Sequence, residues 1–412
     1  MKLLASTIAT LVVSLPLSNA NLNGLSGVRG QHAAKKTRKL QGNMGMRFDS
    51  AEEELAAMNE PFAESEEEDG PAESSEPLTP INISIQPAYH GIPVFLGIQM
   101  GWYEELGLDV NISVWDSGGP QVRAAAENDA WDFGVAGCNP NIIAGPLGIS
   151  TVGISNDEST ANVVVGGPGV TSLPSAGDEL SEGMFAETPG STGDLLMREC
   201  LFVLGIETDE SNFFFGGQGD VIGALESGNS SYGALWAPNS YIYLEDNQDA
   251  VALCNGIDVG VTIPGGLMVR DEWAEENPDL AARALAVYLR GVTTMQNKAV
   301  RSEVLTYARA FYDYVGKEPS DQDIERDFLT RPTFNLDHLC SLMSRDFTNG
   351  GKSTIDTVYD IIAEFLADQG TIEGVQPTDE YLTDEYLQYI SADADLRTYS
   401  YLGYHATPGD MN

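Results

Sequence analysis

Two segments of alternating character, Ile81-Asn82-Ile83-Ser84-Ile85 and Val110-Asn111-Ile112-Ser113-Val114, flank an apolar stretch at helical spacing from Pro93 to Leu106 that stops at Gly107. Alternation with a period of two marks a half-buried strand, and the wider spacing marks an amphipathic helix. Strand, helix and strand at this spacing form a βαβ unit, which implies a parallel sheet. That feature alone assigns the chain to the α/β class. The rhythm continues with a short helix from Val122 to Asn128, a strand at Phe133 to Gly137 and another at Asn162 to Val165.

A second α/β block follows. Ser191-Thr192 supply good N-cap residues for a helix that ends before Gly205, with Leu196, Met197, Cys200, Leu201 and Leu204 on its apolar stripe. Phe213 to Phe215 and Gly233 to Trp236 read as buried strands. From Pro278 the chain turns helical, with Ala281, Leu285, Tyr288, Val292 and Met295 on one face. Further helices fit 302–315, 320–328 and 354–368. No repeat of solenoid length is present.

With 412 residues and two such blocks, two lobes are expected. The first twenty residues have the form of a signal peptide: Lys2, an apolar run from Leu3 to Leu17, and Ser18-Asn19-Ala20 at a cleavage site. Residues 21–80 read as a disordered propeptide or linker. A basic stretch (Arg29, Lys35, Lys36, Arg38, Lys39) precedes twelve acidic residues between Asp49 and Pro80, where there is no Lys or Arg. Such a segment cannot bury enough apolar surface to offset its ordering entropy. A secreted or extracytoplasmic protein is therefore expected. Asn82, Asn111 and Asn229 head acceptor sequons for glycosylation, and Cys200 and Cys254, in one predicted lobe, are the first choice for a disulfide.

The net charge of −41 excludes nucleic acid and anionic membrane faces as partners. It also means that an anionic ligand would approach against the overall field. Motifs for catalysis are missing. His32, His90, His338 and His405 are too scattered for a metal site, and there is no Gly-x-Ser-x-Gly elbow or Walker loop. Gly217 to Gly223 imitates a dinucleotide fingerprint, but its last spacing is one residue too long, so no cofactor is expected.

The informative features are six polar, Gly-containing turns after strands: Gln86 to His90, Ser117 to Pro120, Gly137-Cys138-Asn139, Asn156 to Thr160, Gly190 to Gly193, and Trp236-Ala237-Pro238. Open parallel sheets place ligands at such ends, beside helix N-termini whose free amides attract anions. Together the turns outline a cleft.

These residues resemble a known family. Gly91 to Val110, with Met100-Gly101-Trp102-Tyr103-Glu104-Glu105-Leu106-Gly107, is similar to the opening of periplasmic solute-binding proteins for sulfonates, taurine, nitrate and thiamine-pyrimidine precursors, the substrate-binding components of ABC transporters. The likeness runs on through Asp116-Ser117-Gly118-Gly119, Trp131 to Gly137, Gly190-Ser191-Thr192, Ala234 to Pro238, Met268 to Pro278 and Leu382 to Leu387. It covers nearly all of 81–390 in order. Among the branches it is closest to the taurine-binding one, through Asp116-Ser117-Gly118 and Trp236-Ala237-Pro238.

The resemblance implies a two-lobed type II fold with two hinge crossovers, expected near 165–168 and 262–266. Lobe 1 would be 81–166 with 262–412, and lobe 2 would be 167–261. It implies a small-molecule ligand captured by hinge closure, a transporter or receptor partner, and a monomer. The anion would be held by Ser117, Gly118 and Gly119 and by Ser191 and Thr192, with Tyr89 and Trp236 as flat walls and Asp157 and Glu158 pairing a ligand amine. Gln86, His90, Cys138 and Asn139 complete the expected binding set, and Arg123 reads as a surface ion-pair partner. A second reading rests on Gln86 to His90, which resembles a segment of thiamine-pyrimidine synthases. In this chain Gln86 occupies the position of the cofactor-binding lysine, so no Schiff base can form, while binding of a thiamine-pyrimidine precursor stays open as the alternative. A third reading, the sensing or scaffold part of a larger assembly, has no anchor or second module behind it.

Overall fold

The computed structural model describes residues 77–345 and 351–403. The expected signal peptide and nearly all of the acidic segment therefore lie outside the described residues. The described chain builds two five-stranded sheets. The first takes β1 (Thr79–Ile85), β2 (Leu108–Val114), β3 (Phe133–Gly137), β4 (Ile149–Asp157) and, much later, β10 (Pro264–Arg270), in the order β2-β1-β3-β10-β4. The second takes β5 (Asn162–Gly166), β6 (Phe185–Glu187), β7 (Phe213–Phe215), β8 (Tyr232–Trp236) and β9 (Val251–Asn255), in the order β7-β6-β8-β5-β9.

The two alternating segments pair in parallel from Thr79 with Leu108 to Ile85 with Val114, as a βαβ unit requires. Neither sheet is wholly parallel, however. β10 runs antiparallel to β3 and β4, and β5 runs antiparallel to β8 and β9. Each reversed strand is the first one laid down after the chain crosses from one sheet to the other.

This placement moves the first crossover. The Gly/Pro-bearing segment 165–168 was expected to be the hinge, but β5 already belongs to the second sheet, so the chain crosses at 158–161. The return crossing is 256–263, just upstream of the expected 262–266. The helix expected from Pro93 to Leu106 is also two pieces, Ile92–Gln99 and Trp102–Glu105, broken where Gly101 takes φ 67°, a left-handed conformation that favours glycine.

The core of the first half is organised by the helix Pro278–Gln296, whose Ala281, Ala282, Leu285, Leu289 and Val292 are fully buried. Burying one Leu or Val side chain contributes about 1.5–3 kcal/mol. This helix crosses Ile92–Gln99 where side chains are smallest. A Cβ on Gly97 would come 2.7 Å from Val287, and one on Gly291 would come 2.9 Å from Pro93. In the second half a disulfide joins Cys200, on the helix Thr192–Val203, to Cys254 on β9, while Cys138 and Cys340 are free thiols.

Candidate functional site

Between the two sheets lies a cavity of about 510 Å³, and all six turns contribute to its wall. Gln86, His90, Ser117, Gly118, Gly119, Glu158, Ser191, Thr192 and Trp236 line it, whereas Tyr89, Cys138, Asn139 and Asp157 do not.

Two helices of comparable length begin at this cavity. Gly118–Asn128 starts from Ser117, whose backbone is extended and whose side chain makes no capping bond. Pro120 in the first turn has no N–H to satisfy. The amides of Gly118 and Gly119 find no acceptor among the described residues, and a Cβ on Gly119 would meet nothing within 4 Å. Beside them the Gln86 side-chain amide donates to Gln121 Oε1 at 2.8 Å. Gln121 is held in turn by donating to Ser84 Oγ at 2.8 Å.

Thr192–Val203 starts differently. Ser191 Oγ accepts the amides of Gly193 at 3.1 Å and Asp194 at 3.2 Å, and Asp194 Oδ2 accepts Gly190 N at 2.8 Å. Thr192 Oγ1 donates to Asn162 Oδ1 at 2.8 Å. This end has answered most of its own donors.

The charges nearest the cavity are of both signs. His90 Nδ1 and Glu158 Oε1 lie 2.9 Å apart, with side chains 2% and 8% exposed. Burial pushes the Glu158 carboxyl up, but the hydrogen bond from His90, together with Arg331, outweighs it and holds it below its usual value. His90 Nε2 is buried and has no hydrogen-bond partner among the described residues. Arg331 also lines the wall. Its Nε lies 2.9 Å from Asp327 Oδ1, with both side chains 2% exposed, and its guanidinium rests 5.3 Å over the Tyr89 ring. Burial works against the Arg331 charge, yet Asp327 holds it more firmly protonated than a free arginine. Asp327 in turn accepts Tyr241 Oη at 2.8 Å. Arg123 is exposed at the rim and makes no ion pair among the described residues, so the expected surface partnership is absent.

Several expectations are corrected. Tyr89 is buried behind the wall, edge-on to Phe328 and beneath Arg331, and so serves as a support for the cation. Asp157 accepts Ser159 N at 2.9 Å as well as the Ser159 hydroxyl, burial pushes its carboxyl up, and it is not among the residues of the cavity wall. Cys138 and Asn139 open the helix Cys138–Ala144. The Cys138 thiol is buried and pushed up by that burial, while Asn139 Nδ2 donates across the cleft to Ser191 O at 2.9 Å. Asn82 Nδ2 donates to Asp132 Oδ2 at 3.0 Å, whereas the sequon residues Asn111 and Asn229 are exposed.

Sequence reasoning missed Arg331, Asn162, Thr188 and Thr371. Arg331 reads as the i+4 partner of Asp327 at a helix end, and its hint is the Arg331-Pro332 pair that stops the helix there. Arg331 and Arg123 bring two cationic side chains to the cavity wall of an otherwise acidic chain.

No family model matches the chain. It is 26% identical over 288 residues, 68% of this chain and 80% of the other, to a protein of Bacillus subtilis (strain 168) named for binding aliphatic sulfonates. Among solved structures it is similar to the alkanesulfonate-binding protein SsuA of Xanthomonas axonopodis pv. citri bound to MOPS. The TM-score is 0.60 at 15% identity, covering 75% of this chain and 99% of that one. A Candida albicans protein with the generic periplasmic binding protein fold is similar at TM-score 0.55 and 11% identity, covering 74% of this chain and 97% of that one. The chain has the periplasmic binding protein fold, and two of the proteins it resembles are named for binding sulfonates.

Proposed function

We propose that this chain is an extracytoplasmic solute-binding protein that captures an organic sulfonate by closing its two halves over it, with no chemistry performed. The observation that carries the reading is the open helix start at Ser117 to Gly119, two unanswered amides in one cavity with the buried Arg331 cation. A sulfonate presents three oxygens and a permanent negative charge to such donors, without a proton to give. Trp236, Pro140 and Ile143 supply apolar wall for the organic part. The Bacillus relative is named for this ligand class, and MOPS carries a sulfonate. Taurine is the member with an ammonium at its other end, and Glu158 is the carboxylate on the wall that would meet it. A membrane transporter or receptor is the partner this reading implies. Within the described residues no helix is long and apolar enough to cross a membrane.

The test is thermal unfolding of the secreted protein against ethanesulfonate, taurine, nitrate, bicarbonate and a thiamine-type pyrimidine. A ligand at about 100 times its dissociation constant stabilises by roughly 2.7 kcal/mol. Shifts with the two sulfonates support the reading, and a larger shift with taurine narrows it. A shift with the pyrimidine and none with either sulfonate would overturn it.

A further inference from the structure

We infer that His90 couples ligand capture to proton uptake, so that a sulfonate enters this cavity together with a proton. The inference rests on the sulfonate reading and goes beyond it.

The argument begins with the two ring nitrogens. Nδ1 lies 2.9 Å from Glu158 Oε1, and a carboxylate can only accept, so the Nδ1 proton is fixed by that contact. In the neutral ring Nε2 then carries a lone pair. That atom is buried with no partner among the described residues, on a side chain that belongs to the cavity lining. A lone pair brought against a sulfonate oxygen is repulsive, and a buried polar atom left unanswered is unfavourable. Protonation converts Nε2 to an N–H donor and supplies a second positive charge beside Arg331. The anion therefore selects the imidazolium, and thermodynamic linkage requires that proton binding and anion binding favour one another.

The groups around the ring leave His90 as the group that responds. Glu158, on the crossing after β4, is held ionised, and Asp157 beside it is bound by Ser159. Tyr288, on the helix Pro278–Gln296, donates its hydroxyl to the His90 carbonyl at 3.2 Å, and burial keeps that phenol protonated. Burial likewise holds the Tyr89 hydroxyl and the Cys138 thiol protonated. Asp327 keeps Arg331 charged. Glu187 lies behind the Thr188 to Ser191 loop, outside the cavity wall. Burial pushes its carboxyl up to about 9, so it must be separated from His90 by experiment.

The probe is ethanesulfonate, which stays ionised throughout, so any pH dependence belongs to the protein. Its dissociation constant is measured by calorimetry from pH 5.5 to 9, in pairs of buffers with different ionisation heats. The expected result is affinity that falls with rising pH, approaching about tenfold per pH unit at the alkaline end, with net proton uptake of up to about one. His90→Gln, whose side chain can donate at every pH, is expected to flatten the dependence. Circular dichroism checks that the variant folds. If it does not, the proton count of the wild-type protein decides. Binding that is flat with pH and takes up no proton overturns the inference and leaves the sulfonate reading standing. A slope retained in folded His90→Gln assigns the proton elsewhere and also overturns it. No binding at any pH overturns the sulfonate reading beneath it.

Discussion

The two helix starts that face one another across the cavity are built from similar residues, Ser117-Gly118-Gly119 and Ser191-Thr192-Gly193, yet they are electrically unlike. The first is uncapped and has Arg123 and Arg331 for company on the wall. The second is capped by its own serine, and the acidic side chains behind it already hold a cation of their own. Glu187 and Asp194 share Arg198, at 2.9 and 2.7 Å, and Glu187 is fully buried. A helix dipole is worth about 0.3–1 kcal/mol to an anion where its amides are free, so the anionic end of a ligand belongs with the first half. The lesson is that a turn motif locates a helix start but leaves open whether its donors are still available.

The comparison can be broken most forcefully at Arg331. Arg331→Met strands a buried Asp327 carboxylate, a loss of about 3–5 kcal/mol in stability, and abolishes the sulfonate thermal shift. Adding Asp327→Leu restores much of the unfolding midpoint but not the shift, which separates binding from folding. Next comes the acidic side. Burial raises the folded Glu187 carboxyl to about 9, while in the unfolded chain it titrates near its ordinary ~4.3. Between those values the unfolded state has released a proton that the folded state keeps. Stability attributable to this group is therefore present at low pH and lost as pH rises toward 9, with a slope of up to about 1.4 kcal/mol per unit. Glu187→Gln should remove that slope in denaturant titrations at pH 5, 6.5 and 8.

A matched pair of substitutions addresses the helix starts directly. Gly119→Asp places a carboxylate at the open end, where there is space for it, and is expected to weaken ethanesulfonate binding about 100-fold, roughly 2.7 kcal/mol. Ser191→Ala removes a cap that costs about 1 kcal/mol of stability to lose, with affinity expected to change less than about threefold. Calorimetry and thermal unfolding on both variants give the two readings. Equal losses of affinity would erase the asymmetry. The smallest effect is expected from Arg123→Ala: an exposed charge is worth about 0.2–1 kcal/mol, so affinity should fall a few-fold at low salt and hardly at all at high salt.

Much of this architecture was visible in residue order. The alternation of 81–85 and 110–114 anticipated their pairing, and the helix read at 354–368 is the one present. β4 escaped because nearly every residue from Ile149 to Asn156 is buried, which removes the alternation that marks a strand. β10 escaped because Gly265 and Gly266 look like a turn, although Gly266 is where the strand passes close against Asn141. The cavity wall was legible at the six polar turns that follow strands, but not at Thr188 after β6. Arg331 was not, because it arrives from a helix about 170 residues beyond Glu158, and nothing local indicates which cleft a helix end will reach.

The two crossings between the sheets are not independent strings. Glu158 N donates to Ile263 O at 2.7 Å, Gly256 N to Ser159 O at 2.8 Å, and Ile263 N to Ser159 Oγ at 3.1 Å, so they are stitched into one short ribbon. Glu158, the partner of His90, is part of that ribbon. In the proposed closure, a swing of one half against the other at this ribbon would turn the carboxylate relative to the His90 imidazole of the first half. Under the proposed closure, the joint and the cavity wall share an atom pair, so the inferred proton and the ligand would leave in a single movement.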